Sequence, residues 1–462
     1  MNSVNSLLNH KVTRWVFIFL SVTAIWRVAS TSHIWFEERH FFLERPEPRT
    51  RDDDAAYYFI GEHFWNIPHD GKYVKLEGEY PKLMEAYPIR GVGLGALAVK
   101  FQRTFEEDWR VMYTRFAIVL NVIGVLVLAI GMAAFTGSIL LFTPLYIWLI
   151  SKFSLYITYP TAWCTELLSR GLVPILIGIG FLLTSTKMKR WFFFTLSTVF
   201  VLISIYLCQM KVQWLLGIAM MMVCLLPFKE TRKAGYVFMA AFLLSAISIR
   251  TINYFKYNGN KELFASSGFM ALRWDLDGAA ILKKGCDENR FPAGVAESVC
   301  SRDIREITHS LLDAKASYED KAKFLEICSK INMELFMANI TIRIKRLIHN
   351  NIPVLKQMYF TLEVPRPKKI VILSILGVMF VGSLFILRVG QTAQIAGMAA
   401  FLFGSVFVPN ITATLNQWEY RYAVPVRVFF YVIPMMAIVA AFWLKRDTFS
   451  NLIDHLRSKK PQ

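Results

Sequence analysis

Apolar runs close to twenty residues long recur along the chain, separated by short polar breaks and by two long polar stretches. Helices of about that length match a hydrocarbon core of ~30 Å. The runs predict spans at 13 to 33, 111 to 134, 138 to 157, 163 to 186, 191 to 208, 212 to 228, 235 to 253, 370 to 387, 392 to 411 and 423 to 444. The fold class that follows is an all-α polytopic membrane protein with about ten transmembrane helices, multi-pass in a plasma or inner membrane, or in the endoplasmic reticulum of a eukaryote. The organisation reads as a tail and first helix (1-34), a first outer loop (35-110), helices two to seven (111-253), an outer helical segment (254-369), and three last helices with a short cytoplasmic tail (370-462). The first run, Trp15 to Ala29, is broken by Arg27 and has no small-residue cleavage site, so it reads as a retained anchor.

Charge then orients the spans. Lys11 and Arg14 precede the first, Lys187, Lys189 and Arg190 follow the fourth, Lys229, Arg232 and Lys233 follow the sixth, and Lys445 and Arg446 follow the tenth. Both termini on the cytoplasmic side satisfy the positive-inside rule at all four places. Arg366, Lys368 and Lys369 fall on the outer side under this scheme and count against it, although long loops obey the rule weakly. The two long polar stretches then face one non-cytoplasmic side. Composition agrees: 55% of residues are hydrophobic, 15% aromatic, and mean hydropathy is +0.40. The excess of 52 Lys and Arg over 34 Asp and Glu, which in a soluble chain would point to nucleic acid, is better explained here by membrane lipids with anionic headgroups. Neither an internal repeat nor a low-complexity tract is present, which gives a duplicated transporter architecture no support.

The candidate chemistry begins at Arg51-Asp52-Asp53-Asp54-Ala55-Ala56-Tyr57-Tyr58-Phe59-Ile60, just after the first span. The aromatic and apolar residues from Tyr57 to Trp65 suit a short amphipathic interfacial helix in the headgroup layer, with the acids at its N-terminus. One Asp would serve as a cap, and three in succession favour a functional role. Further along, Pro88 and Gly91, Gly93 and Gly95 predict a turn and then a helix packed closely on its neighbours. Without a preceding strand or a following Gly-Lys-Ser or Gly-Lys-Thr, a phosphate-cradling loop is the weaker reading. Glu166 and Arg170, spaced i and i+4 at the outer end of the fourth span, are intramembrane charges that either neutralise each other or serve a site.

In the outer segment Cys286, Cys300 and Cys328 stand apart from the span cysteines Cys164, Cys208 and Cys224. Cys286 and Cys300 would pair in an oxidising compartment, but an odd loop count leaves the pairing ambiguous. No Cys and His spacing resembles a zinc site. Ser317-Tyr318-Glu319-Asp320 reads as a helix start, with Leu325, Cys328, Ile331 and Leu335 at helical spacing. Ile340 to Phe360 mixes Arg343, Lys345, Arg346 and Lys356 with apolar residues, as suits either a helix near anionic headgroups or generic membrane adhesion. Asn339-Ile340-Thr341 and Asn410-Ile411-Thr412 fit glycosylation acceptors, triplets common by chance.

Before the last span stands Asn416-Gln417-Trp418-Glu419-Tyr420-Arg421-Tyr422-Ala423-Val424-Pro425. Arg421 has the geometry for a bidentate phosphate contact, and the alternative is an interfacial ion pair with Glu419 in an aromatic belt. An acidic pair followed by aromatics in the first outer loop, many spans, and this late motif together resemble the GT-C superfamily of membrane glycosyltransferases. Within that superfamily the likeness is to the branch of the protein mannosyltransferases and aminoarabinose transferases. The resemblance implies catalytic Asp53 and Asp54, with Asp52 and Asp53 as the alternative pair. It implies substrate-binding Tyr57, Glu419, Arg421 and Tyr422, to which Glu166 is added as an intramembrane acid. The implied reaction moves a sugar from a polyprenyl-phosphate donor to an acceptor not fixed by the sequence, with inversion and Asp base catalysis. No protein metal set is expected and no cofactor is fixed, although a divalent cation, Mg or Mn, is compatible with paired acids. The members with large C-terminal soluble domains differ from this chain, which ends soon after Lys445. A lipid or solute transporter is the alternative, and a noncatalytic membrane scaffold explains the spans and neither motif.

Overall fold

The computed structural model describes residues 53–65, 92–105, 109–136, 165–184, 188–256, 276–300, 366–407 and 429–445, with scattered positions in 15–23 and 317–345. Every extended element among them is helical and none is a strand. In chain order these are α1 (Asp53–Phe64), α2 (Val92–Phe105), α3 (Trp109–Thr136), α4 (Thr165–Leu183), α5 (Arg190–Met210), α6 (Gln213–Leu225) and α7 (Arg232–Lys256). Then come α8 (Leu276–Asp287), α9 (Ala293–Cys300), α10 (Arg366–Leu384), α11 (Val389–Leu402) with a π turn at Phe403–Phe407, and α12 (Phe429–Leu444).

Three stretches are long and apolar enough to cross a membrane: Arg115–Thr136, Arg190–Met210 and Arg232–Ile252. The expected spans at 13 to 33 and 138 to 157 lie outside the described residues, apart from isolated helical positions at Trp15, Phe19, Val22 and Thr23. The expected span at 212 to 228 is shorter than its apolar run. At 13 residues α6 rises about 20 Å, less than the ~30 Å core, because the chain turns at 226–231 to enter α7. The run at 163 to 186 yields α4, 19 residues at Thr165–Leu183, and the run at 392 to 411 becomes α11 plus the π turn.

Small residues set which helices touch. Gly124 of α3 faces Gly171 of α4, and seven residues on Gly131 faces Gly178; a Cβ on Gly124 would lie 2.5 Å from the Gly171 carbonyl oxygen. Both contacts advance together, so α3 and α4 run parallel. The same reasoning makes α5 and α7 parallel: Phe200 and Phe238 pack with ring centroids 4.3 Å apart, and Gln209 Nε2 donates to Ser248 Oγ at 2.9 Å further on. Helix α6 meets α11 in the opposite sense, with Gly217 beside Phe401 and Ser405, and Gly397 beside Met221 and Leu225.

These directions give the bundle two chemically different ends. At one end lie the close of α3, the start of α5 with Lys189 and Arg190, the α6–α7 turn with Lys229, Arg232 and Lys233, and the start of α11 at Arg388. Arg232 donates from Nε to the Leu226 carbonyl at 3.2 Å, a cation on the orphaned carbonyls that end α6. Gln391 accepts from the Arg388 backbone N–H at 3.3 Å and donates to the Phe135 carbonyl at 3.1 Å, so one amide satisfies the start of α11 and the end of α3. Of the basic residues expected after the fourth and sixth spans, Lys189, Arg190, Lys229, Arg232 and Lys233 share this end, and Lys187 lies outside the described residues. For Arg232 the pairing with helix-end carbonyls is the local physical reason.

Outside the bundle, the connection between α7 and α10 carries a small disulfide-linked unit. Cys286 of α8 bonds Cys300 of α9 with Cα atoms 5.6 Å apart, an ordinary disulfide separation. Leu282, Phe291, Val295, Val299, Phe324 and Cys328 are its buried residues. The Phe291 ring packs directly on Gly285, where a Cβ would lie 2.6 Å from Cζ of Phe291. The helix start expected at 317–320 is present: Ser317 Oγ accepts from the Asp320 backbone N–H at 3.2 Å.

Candidate functional site

The end of the bundle opposite the basic one collects the start of α3 at Trp109, the start of α4 at Thr165, the close of α5 at Met210 and the C-terminal part of α7 around Ile252. Helices α1 and α2 are packed onto this end. Tyr206 of α5 donates its hydroxyl to the Gly93 carbonyl at 3.2 Å, and a Cβ on Gly93 would lie 3.1 Å from Met210. Ile60 and Val92 form a small apolar cluster against Ile252. Tyr58 stacks on Trp109 with centroids 6.3 Å apart, and Trp109 in turn packs edge-on against Tyr113.

The crossing of α1 and α2 explains the glycines. Gly61 and Gly95 meet backbone to backbone, so a Cβ on Gly61 would overlap the Gly95 carbonyl and one on Gly95 would lie 2.7 Å from the Gly61 nitrogen. Gly93 and Gly95 lie within α2, which makes them packing residues as expected; Gly91 lies outside the described residues. Trp65 fixes the crossing by donating its indole N–H to the Ala96 carbonyl at 3.0 Å.

Asp53 and Asp54 are the first two residues of α1, and their side chains lie outside the described ones. Asp52 lies outside the described residues. The helix they begin differs from the expected interfacial one. Tyr57, Tyr58, Ile60, Gly61 and Glu62 are all buried, and Trp65 alone among its described aromatic residues is exposed. The reason is the glycine crossing, which lets α2 close over a face that a headgroup-layer helix would leave open. Tyr57 therefore reaches its candidate role from inside the core rather than from the surface.

Glu166 occupies the first turn of α4, at the same end as α1; its side chain lies outside the described ones. Arg170, one turn on, is buried, with Ser169 and Asn121 also buried in the α3–α4 layer. Glu419, Arg421 and Tyr422 lie outside the described residues. The described chain before them ends at Phe407. Phe407 is at the α1 end, since Ser405 sits on Gly217 near the start of α6. The π turn at 403–407 accompanies a tight approach: a Cβ on Gly404 would lie 3.0 Å from the Leu216 carbonyl.

Sequence reading missed Glu62. Its signal was a carboxylate four residues after Tyr58, hence on the same helical face as a residue facing the core. A charge buried in an apolar bundle is costly unless compensated, so Glu62 and Arg170 join the candidate site on burial. Among the described residues no three His, Cys, Asp or Glu gather as a metal set.

No known family model, no curated protein and no solved structure matches the chain. What the fold itself defines is a helical membrane protein with a basic end and, opposite it, an end where an acid-headed helix is packed.

Proposed function

We propose that the chain is a multi-pass membrane glycosyltransferase of GT-C type, transferring a sugar from a polyprenyl-phosphate donor to an acceptor hydroxyl on the non-cytoplasmic face. One observation supports this above the others: Asp53 and Asp54, the start of α4 at Glu166 and Phe407, the last described residue before Glu419 and Arg421, all belong to the end opposite the basic residues. A disulfide in the outer segment suits an oxidising compartment on that side, since α7 delivers the chain to the same end.

The chemistry needs little covalent help. A sugar phosphate carries a good leaving group, so the protein must supply a base and a cation. Asp53 takes the acceptor hydroxyl proton, the oxygen bonds to the anomeric carbon, and the bond from that carbon to the phosphate oxygen breaks with inversion. The polyprenyl phosphate departs as an anion toward Arg421. Asp54 disfavours simultaneous ionisation of the pair and orients the base. Two adjacent carboxylates offer the oxygen donors that Mg or Mn prefers, and no step here runs through such an ion.

Transfer of radiolabelled sugar from polyprenyl-phosphate donors, measured in membranes, tests the reading. Asp53→Asn should lower transfer by about 100-fold or more, the usual worth of a general base, and Asp54→Asn should lower it as well. Equal transfer by both variants and the wild type at equal expression overturns the assignment.

A further inference from the structure

The disulfide unit is followed by helical positions of which its own core uses only the first half. Helical positions run from Asp320 to Lys345. The first half is seated: Phe324 packs edge-on against Phe291 with centroids 4.9 Å apart, and Phe324 and Cys328 are fully buried. From Glu334 onward every described residue is exposed, namely Glu334, Met337, Ile340, Thr341, Ile344 and Lys345. Met337 is 65% exposed, Ile340 46% and Ile344 49%, at spacing i, i+3 and i+7, which puts three large apolar side chains in one uncovered stripe. The sequence continues that spacing with Leu347, Ile348 and Ile352.

Charge says what covers it. Between 334 and 362 the chain has four basic residues, Arg343, Lys345, Arg346 and Lys356, and one acid, Glu334. Twenty residues, 346 to 365, then lead to α10, which begins with Arg366, Lys368 and Lys369 ahead of its apolar run. An apolar stripe flanked by cations and tethered to a membrane helix has the composition of an element lying in a headgroup layer, with its stripe toward the acyl chains. A protein partner would gain from the stripe but not from a one-signed basic surround, whereas an anionic leaflet uses both.

We propose that residues 334–345 dock the disulfide unit onto an anionic lipid surface, with Met337, Ile340 and Ile344 inserted and the basic charge of this stretch supplying the attraction to the headgroups. This stands independently of the glycosyltransferase reading. The geometry would hold the outer unit against the membrane beside the end where α1 sits.

The test places a photoreactive benzophenone amino acid at position 344 in the full-length chain. The chain is reconstituted in nanodiscs of phosphatidylcholine alone or enriched in phosphatidylglycerol. The expected result is an adduct of lipid mass, more abundant with phosphatidylglycerol. Arg343→Gln, Lys345→Gln and Arg346→Gln should each lower the yield by about fivefold, and high salt should do the same for the wild type. An intact Cys286–Cys300 bond reports that the variants still fold. Cross-linking to a second copy or to another part of the chain overturns the proposal, and so does a lipid yield indifferent to phosphatidylglycerol and to the three substitutions.

Discussion

Replacing Gly95 by Ala adds one methyl group at the crossing of α1 and α2. The added Cβ would overlap the Tyr57 carbonyl oxygen and lie 2.7 Å from the Gly61 nitrogen, where ordinary contact begins at 3.4 Å. Both obstacles are backbone, so no rotamer change relieves them, and the helices must part by roughly 1 Å, enough to forfeit a quarter to a half of each dispersion well across the crossing. Overpacking of this kind costs about 1–3 kcal/mol, and rigid opposing atoms put Gly95→Ala near the upper end. Gly377→Ala in α10 is the matched control, because nothing lies within 4 Å of its Cβ position. There the better helix propensity of Ala should stabilise by about 0.5–1 kcal/mol. The assay is the fraction of purified full-length protein that stays monodisperse after heating in detergent. Gly95→Ala should melt below the wild type and Gly377→Ala at or above it. A Gly95→Ala protein as stable as the wild type would refute the close crossing. Because α1 also carries Asp53, the proposed transferase function requires that the same variant lose sugar transfer with both acids intact.

Other consequences concern the two ends and the outer unit. Cysteines introduced near Asp52 and near Glu419 should label from one side of sealed membranes, and a cysteine replacing Lys229 from the other; labelling of the first two from opposite sides would dissolve the composite site. Reduction of Cys286–Cys300, or Cys300→Ser, should destabilise the unit around α8 and α9 by about 3 kcal/mol, as expected for a loop of 14 residues, and expose it to protease. Protease resistance unchanged by reduction would show the bond to be dispensable. Burial raises the Cys328 thiol above its ordinary value near 9, so the folded unit keeps its proton where the unfolded chain releases it. The linked stability is therefore constant below pH 9 and falls as pH rises past it, and the difference between wild type and Cys328→Ala in denaturant should narrow in that range. A difference independent of pH counts against a buried thiol.

Much of this organisation is legible in the residue pattern because each signal is local. Apolar run length predicts that helices cross a membrane, and three described helices satisfy it by length and composition. Basic residues after apolar runs predict a shared end, since carbonyls at helix termini and anionic headgroups both favour cations locally. Glycines at 93 and 95 predict close packing because a missing Cβ has the same meaning in any fold. Tertiary structure alone decided the rest. Whether Gly124 meets Gly171, whether α1 lies on a surface or beneath α2, and whether Cys300 or Cys328 partners Cys286 all depend on groups distant in sequence. Glu62 shows the limit most directly: its charge is visible in sequence, but its burial follows from a helix crossing set by Gly61 and Gly95, which no periodicity encodes.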